Sequence, residues 1–251
     1  LSSPWSLTLR LERSVVVGWA VGVGLVGLLY GSLAETVQTS FADLPDDLLV
    51  VLGGDRAQLL DGFVSVMVFF DATLAACCGI VVVHRLAAEE GSSRAEVVLA
   101  TATSRWRWMG AGLASAMFAV TAVLVAAGLG MGVGTAAVLG DAGWLPRVLL
   151  AHLTYLPAVA VVVAVAGLGF AIGPRWTNLA WVVVAFAIGV GYFGPLVDVP
   201  GAVTDVSPFA HVARMPLEPF AGAPLLVLTV IAALAAVGGL AVFRRRDLTA
   251  G

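Results

Sequence analysis

The stretch His84-Arg85-Leu86-Ala87-Ala88-Glu89-Glu90-Gly91-Ser92-Ser93-Arg94-Ala95-Glu96 runs on through Val97-Val98-Leu99-Ala100-Thr101 to Ser104-Arg105-Trp106-Arg107-Trp108, and it decides how the chain is built. It is the longest charged interval that carries several arginines, and an apolar run lies on either side of it. A hydrocarbon core about 30 Å thick is crossed by about 20 apolar residues in a helix, and both flanking runs reach that length. Ser93 followed by Glu96 forms a capping box, which predicts a short helix from Arg94. Ser104 is placed to cap a second helix that enters the next apolar run. The apolar face of Val97, Val98 and Leu99 needs a cover, which suits a surface that grips a soluble partner. The interval therefore reads as a hairpin whose short helix lies across one end of a membrane bundle.

Outward from this hairpin the apolar runs repeat. Spans are expected at about 14–33, 62–83, 109–139, 148–172, 179–197 and 223–243, six in all. The chain is 60% hydrophobic and 12% charged, and its mean hydropathy is +1.02. Soluble domains carry about a quarter of their residues as charges, so this is an all-α membrane protein. Residues 84–108 form the loop between spans two and three, and 34–61 and 198–222 form loops at the opposite end.

The connecting segments have their own signals. Residues 1–13 mix leucines with Arg10, Glu12 and Arg13 behind Trp5, which predicts a short helix along the membrane surface. In the acidic segment 34–61, Val37, Phe41, Leu44, Leu48 and Val51 recur at helical spacing, and Gly53-Gly54-Asp55 breaks the pattern. Pro157 predicts a kink in the fourth span. Gly173 to Asn178 reads as a tight turn, and Ser207-Pro208 can start a short helix. Gly18/Gly22, Gly27/Gly31, Gly128/Gly132 and Gly130/Gly134 are small-xxx-small pairs that let another helix backbone come close.

Arginine placement predicts orientation. With the termini inside, Arg10, Arg13, Arg85, Arg94, Arg105, Arg107, Arg175, Arg244, Arg245 and Arg246 lie inside, ten of the thirteen basic residues. Only Arg56, Arg147 and Arg214 lie outside. The positive-inside rule then puts both termini in the cytoplasm. Trp106, Trp108 and Trp176 fall at inner boundaries and Trp144 at an outer one, as an aromatic belt requires.

Several chemistries are excluded. The sequence has no lysine, so it carries no Walker A loop and no lysine Schiff base. Cys77 and Cys78 are adjacent in an apolar run and read as small packing residues. There is no His-Glu-x-x-His helix and no Gly-x-Ser-x-Gly elbow. Gly140-Asp141 lacks the preceding glycine of an intramembrane aspartyl protease motif. His84, His152 and His211 are spread over both sides, with no second ligand at metal spacing. Asp71 stands as the one ionisable residue near the middle of a span. Burying it alone costs about 2.5–3.5 kcal/mol on insertion scales. It is either a polar point on a substrate or proton path, or a hydrogen-bonded group that joins helices.

Arg85 to Glu90, then Glu96, Leu99-Ala100-Thr101 and Ser104 to Trp108, resemble the first cytoplasmic loop of ABC-2 type export permeases. The similarity is greatest to the actinobacterial branch of polyketide-antibiotic, tetronasin-like exporters. Asp205 to Val212 with Glu218-Pro219-Phe220 resembles that branch's last external loop, and Arg244 to Leu248 its C-terminal end. Gly31 to Ala34 and Asp61-Gly62-Phe63 fit as well. Members are about twice this length, with two six-span halves, and this chain resembles the second half. The start at Leu1 rather than Met fits a fragment, a processed chain or an unusual start codon.

The resemblance implies a coupling helix between spans two and three that docks on a separate ATPase subunit. It places Arg85, Glu89, Glu90, Ser93, Arg94, Glu96 and Arg105 at or near that contact. ATP and magnesium are then held by the partner, and this chain binds no cofactor or metal. Its partners are that ATPase, a second six-span half or a second copy, and the lipid bilayer, with no nucleic acid. The expected function is outward movement of hydrophobic or amphiphilic compounds such as antibiotics across a bacterial plasma membrane. An ion-coupled secondary transporter built on Asp71 and a non-transporting anchor or sensor subunit are the alternatives.

The orientation has a direct check. With Ser93→Cys, a membrane-impermeant maleimide added to intact cells leaves the thiol unmodified and labels it after permeabilisation. Labelling in intact cells overturns the arrangement with both termini inside.

Overall fold

The computed structural model describes residues 4–40, 56–91, 104–194 and 199–246. Its regular structure among these residues is helical throughout. Helix α1 runs Pro4–Ser32, and a turn at Leu33 joins it to α2, Ala34–Ser40. Helix α3 is Arg56–Gly91 and α4 is Arg105–Leu139. Next come α5, Trp144–Thr154, and α6, Leu156–Ile172. A 3₁₀ turn at Pro174–Asn178 leads into α7, Leu179–Ile188, which passes into a π-helical turn at Gly189–Phe193. Helix α8, Gly201–Thr204, and a 3₁₀ turn at Pro208–His211 precede α9, Gly222–Arg245.

Among the described residues, six helical stretches are long and apolar enough to cross a membrane: Glu12–Ser40, Gln58–Glu90, Arg105–Leu139, Trp144–Ile172, Pro174–Phe193 and Gly222–Arg245. They alternate in direction. One end of the bundle carries the start of α1, the end of α3, the start of α4 and the end of α9. It is called the terminal end below. The far end carries the start of α3, the turn before α5 and residues 199–222.

Local chemistry accounts for the breaks. Helix α4 stops at Gly140, whose φ of 67° lies in the left-handed region that glycine enters without steric cost. Asp141 Oδ1 then accepts from the Gly143 N–H at 2.8 Å and holds the turn. The fourth span breaks at Tyr155, because Pro157 has no N–H to continue the ladder. Ser207 precedes the 3₁₀ turn that Pro208 starts.

Some expectations are corrected. Residues before Ser14 do not form a separate surface helix, since α1 is unbroken from Pro4; no glycine or proline intervenes after that proline to stop it before Gly18. Ser104 sits at the N-cap position of α4 with extended backbone, and its carbonyl accepts from Arg107 and Trp108. Its hydroxyl makes no capping bond. Trp108 and Trp144 are buried rather than placed in a belt, whereas Trp106 and Trp176 are exposed. The capping box of Ser93 and Glu96, the helix expected from Arg94, and the pattern from Phe41 to Asp55 lie outside the described residues.

Helix α3 is an axis of the core. Val64, Val68, Ala72, Ala75 and Ala76 on it are sealed from solvent. Helices α1 and α4 run parallel along a glycine seam. A Cβ at Gly27 would lie 2.7 Å from the Ala127 carbonyl oxygen, and one at Gly134 would lie 2.6 Å from that of Leu28. Gly31 and Gly130 meet the opposite backbone more closely still. Gly128 and Gly132 serve the other side of α4 and face Leu149 and Leu145 of α5. A Cβ at Gly18 or Gly22 would meet no other helix within 4 Å among the described residues. Val17, Val21 and Leu25 of α1 and Leu226, Val230 and Leu234 of α9 point outward, an apolar surface that suits lipid.

Gly31→Ala therefore forces the α1–α4 seam apart and lowers stability by about 1–3 kcal/mol, the usual cost of overpacking. Gly18→Ala does not. Thermal melts of the two purified variants in one detergent check the contrast.

Candidate functional site

At the terminal end, polar groups from five helices converge. Glu90 is buried in the last turn of α3. Arg246, one residue past α9, donates through Nη2 to Glu90 Oε1. Its Nη1 donates to the Phe170 carbonyl at 2.7 Å. Phe170 lies in the last turn of α6, where carbonyls lack intrahelical partners and the helix dipole favours a cation. Arg246 also lies over the rings of Phe170 and Phe243, at 5.6 and 5.4 Å. Those rings stack with centroids 5.4 Å apart, and Trp108 stacks on Phe243 at 5.9 Å. Arg105, at the start of α4, donates to the Arg246 carbonyl at 2.7 Å. Beside this hub, the buried Glu12 of α1 accepts from the Ser115 hydroxyl of α4 at 3.0 Å. Arg85 and Glu89 lie near enough to act on the Glu12 charge.

The expected contact residues thus fall in two groups. Arg85, Glu89, Glu90 and Arg105 gather at this end, with Glu90 and Arg105 held inside the chain by Arg246. Ser93, Arg94 and Glu96 lie outside the described residues. The sequence did not single out Glu12 or Arg246. The three arginines from Arg244 read only as a stop for the last span. A lone acidic residue next to an apolar helix was the one signal for Glu12.

Deeper in the bundle, Asp71 of α3 meets His152 of α5. Asp71 Oδ2 lies 3.2 Å from His152 Nε2, and neither side chain has any exposure. His152 Nδ1 is 2.9 Å from the Val148 carbonyl oxygen, which can only accept, so Nδ1 carries a hydrogen. A second proton must then sit between Nε2 and Oδ2. On Nε2 it makes an imidazolium–carboxylate pair, and on Oδ2 a neutral pair. Both leave no net charge in the bundle. This corrects the reading of Asp71 as the one ionisable residue at its depth, since His152 lies beside it. The two are 81 positions apart, and no local pattern joins them. Asp71 Oδ1 has no hydrogen-bond partner among the described residues.

Two more contacts bind α3 to its neighbours. Arg147 of α5 donates to Asp61 Oδ2 at 2.7 Å and lies over the Trp144 ring at 4.8 Å. Trp181 of α7 donates to His84 Nε2 at 3.2 Å.

Toward the far end a cavity of about 460 Å³ opens between α3, the break at Tyr155, the π-helical turn and the segment from Thr204 to Leu217. Phe69 stands at its wall, with ring centroids 5.0 Å from Tyr192, 5.8 Å from Phe209 and 6.3 Å from Tyr155.

Known proteins bear on this arrangement. The family model described as the C-terminal domain of the multidrug efflux system permease Rv1217c matches residues 1–244. The multidrug efflux system permease protein Rv1217c of Mycobacterium tuberculosis is 34% identical over 252 residues, covering 99% of this chain and 46% of that protein. The chain thus spans about half the length of the curated relative it matches. With six helices fit to cross a membrane, this is a multi-pass bacterial membrane protein, and it belongs to the family of Rv1217c permease C-terminal domains.

Proposed function

We propose that the chain is the second membrane half of an ATP-driven ABC-2 type exporter in a bacterial plasma membrane, moving amphiphilic compounds outward. The observation that carries this reading is the match of nearly the whole chain to the C-terminal domain of a multidrug efflux permease. The other half of that relative supplies the natural partner, with a second copy of this chain as the alternative. ATP hydrolysis belongs to a separate cassette subunit, in keeping with a sequence that has no lysine for a Walker A loop. The arginine asymmetry supports a cytoplasmic terminal end.

In this reading the ATPase pushes on the hairpin between α3 and α4. The push reaches α3 and α4 directly. Through Glu90, Arg246 and the Phe170 carbonyl it also reaches α9 and α6. Nucleotide-dependent contacts would bias a two-state, rigid-body shift of these helices. Asp71 favours a second reading, an ion-coupled transporter, because it is sealed in the bundle beside a second ionisable side chain, His152.

Coupling is tested by dye efflux from cells that express both halves with the cassette ATPase. Glu90→Arg and Arg246→Glu each lose efflux, and the double swap recovers part of it. Breaking a buried pair on one side costs about 3 kcal/mol, and the swap restores opposite charges. Unchanged copurification of the ATPase with a Glu89→Arg, Glu90→Arg variant counts against the docking role of those residues.

The Asp71 pair gives a separate prediction. Asp71→Ala and His152→Ala each destabilise by about 3–5 kcal/mol, because each strands a buried polar partner. Asp71→Leu combined with His152→Leu costs less than the sum of the single alanine changes, as unfolding in mixed micelles will show. Efflux that persists without the ATPase but stops in Asp71→Asn favours the ion-coupled reading.

A further inference from the structure

The far-end cavity has a composition that the export reading leaves unexplained. Its volume of about 460 Å³ lies within the range of small-molecule sites. Phe69, Tyr155, Tyr192 and Phe209 supply an aromatic wall from separate parts of the chain, and their rings meet edge to face or tilted. Gly191 lets the π-helical turn press against the Phe69 ring, where any side chain would collide. Such a turn inside a helix is uncommon and recurs at functional sites.

Ser207 is the independent observation. It lines the cavity and is 2% exposed, and its hydroxyl has no hydrogen-bond partner among the described residues. It sits at the N-cap of the 3₁₀ turn without capping it. A buried hydroxyl left unmade costs about 1–3 kcal/mol. That cost is recovered when a ligand supplies the missing partner. Asp205 and Arg214 also line the cavity, with opposite charges. Neither sign of ligand charge is selected, so the ligand is neutral or zwitterionic.

We propose that this cavity binds a planar aromatic compound of drug size whose hydroxyl or carbonyl group bonds to Ser207. The ring system stacks among Phe69, Tyr192 and Phe209, and the polar edge turns toward the serine. As the substrate class of an exporter, the assignment rests on the function proposed above. Binding itself is measured on this chain alone, without ATPase or first half. Lost binding with export intact overturns the cavity, and lost export with binding intact overturns the export reading.

The probe is 1,8-dihydroxyanthraquinone, titrated by equilibrium dialysis against the chain in lipid nanodiscs. Empty nanodiscs give the partition background. One saturable site per chain is expected above that background. Ser207→Ala weakens it by about 2- to 10-fold, the value of one hydrogen bond. Phe69→Leu weakens it by about 10-fold or more, since both stacking and edge contacts go. Cyclododecanol, a saturated alcohol, does not compete. Binding no greater than to empty discs, or equal in folded Ser207→Ala, overturns the proposal, as does full competition by cyclododecanol. Should Phe69→Leu fail to fold, Tyr192→Leu gives a second measure and weakens the site several-fold, since the Tyr192 ring meets Phe69 at the cavity wall. Undiminished binding in that variant overturns the proposal.

Discussion

Lipid offers no hydrogen bonds, so a carboxylate taken into the bundle needs a hydrogen-bonding or basic partner inside it. Helix α3 shows what this demands. It carries Asp61, Asp71 and Glu90 at three depths, and each meets a basic side chain from elsewhere: Arg147, His152 and Arg246. The first two fasten α3 to α5 and the third fastens it to the end of α9. Asp71 and His152 have no exposure at all, so their pairing is what makes either tolerable there. The core then forms around this fixed axis, with the small and branched residues of α3 filling the space between the pairs.

Close packing supplies the rest. There is little hydrophobic drive between helices in lipid, so contact area and backbone approach decide which helices pair. Helix α4 presents glycines on two sides, to α1 through Gly130 and Gly134 and to α5 through Gly128 and Gly132. It therefore serves as a common wall. The outer faces of α1 and α9 keep large apolar side chains with no such complement, as a lipid-facing surface does.

The spans were legible because a run of about 20 apolar residues matches the thickness of a bilayer and little else in a folded chain. The breaks at Gly140 and at Pro157 were legible because each acts through its own backbone. Glycine spacing was legible only in part. Gly18/Gly22 and Gly27/Gly31 look alike in sequence, yet only the second pair meets another backbone, because facing depends on tertiary position. The partners of Asp71 and Glu90 were not legible, being 81 and 156 positions away. Trp108 next to arginines reads as an interface anchor, but Phe170 and Phe243 claim its ring for the core.

These pairs also restrict how the bundle can rearrange. Sliding α3 past α5 has to break both Asp61–Arg147 and Asp71–His152, and the second break exposes unpaired polar atoms to hydrocarbon. Bending at Tyr155, between α5 and α6, breaks neither, because the helical ladder is already interrupted there by Pro157. At the terminal end, Arg246 holds α3 to the last turn of α6 through Glu90 and the Phe170 carbonyl. Helix α3 is thus tied to α5 on one side of the break and to α6 on the other. Tyr155 at the break and Phe69 on α3 both face the far-end cavity. A change of angle at this one interruption alters the cavity wall, and α3, unbroken from Arg56 to Gly91 and tied on both sides of the break, limits how far it can go.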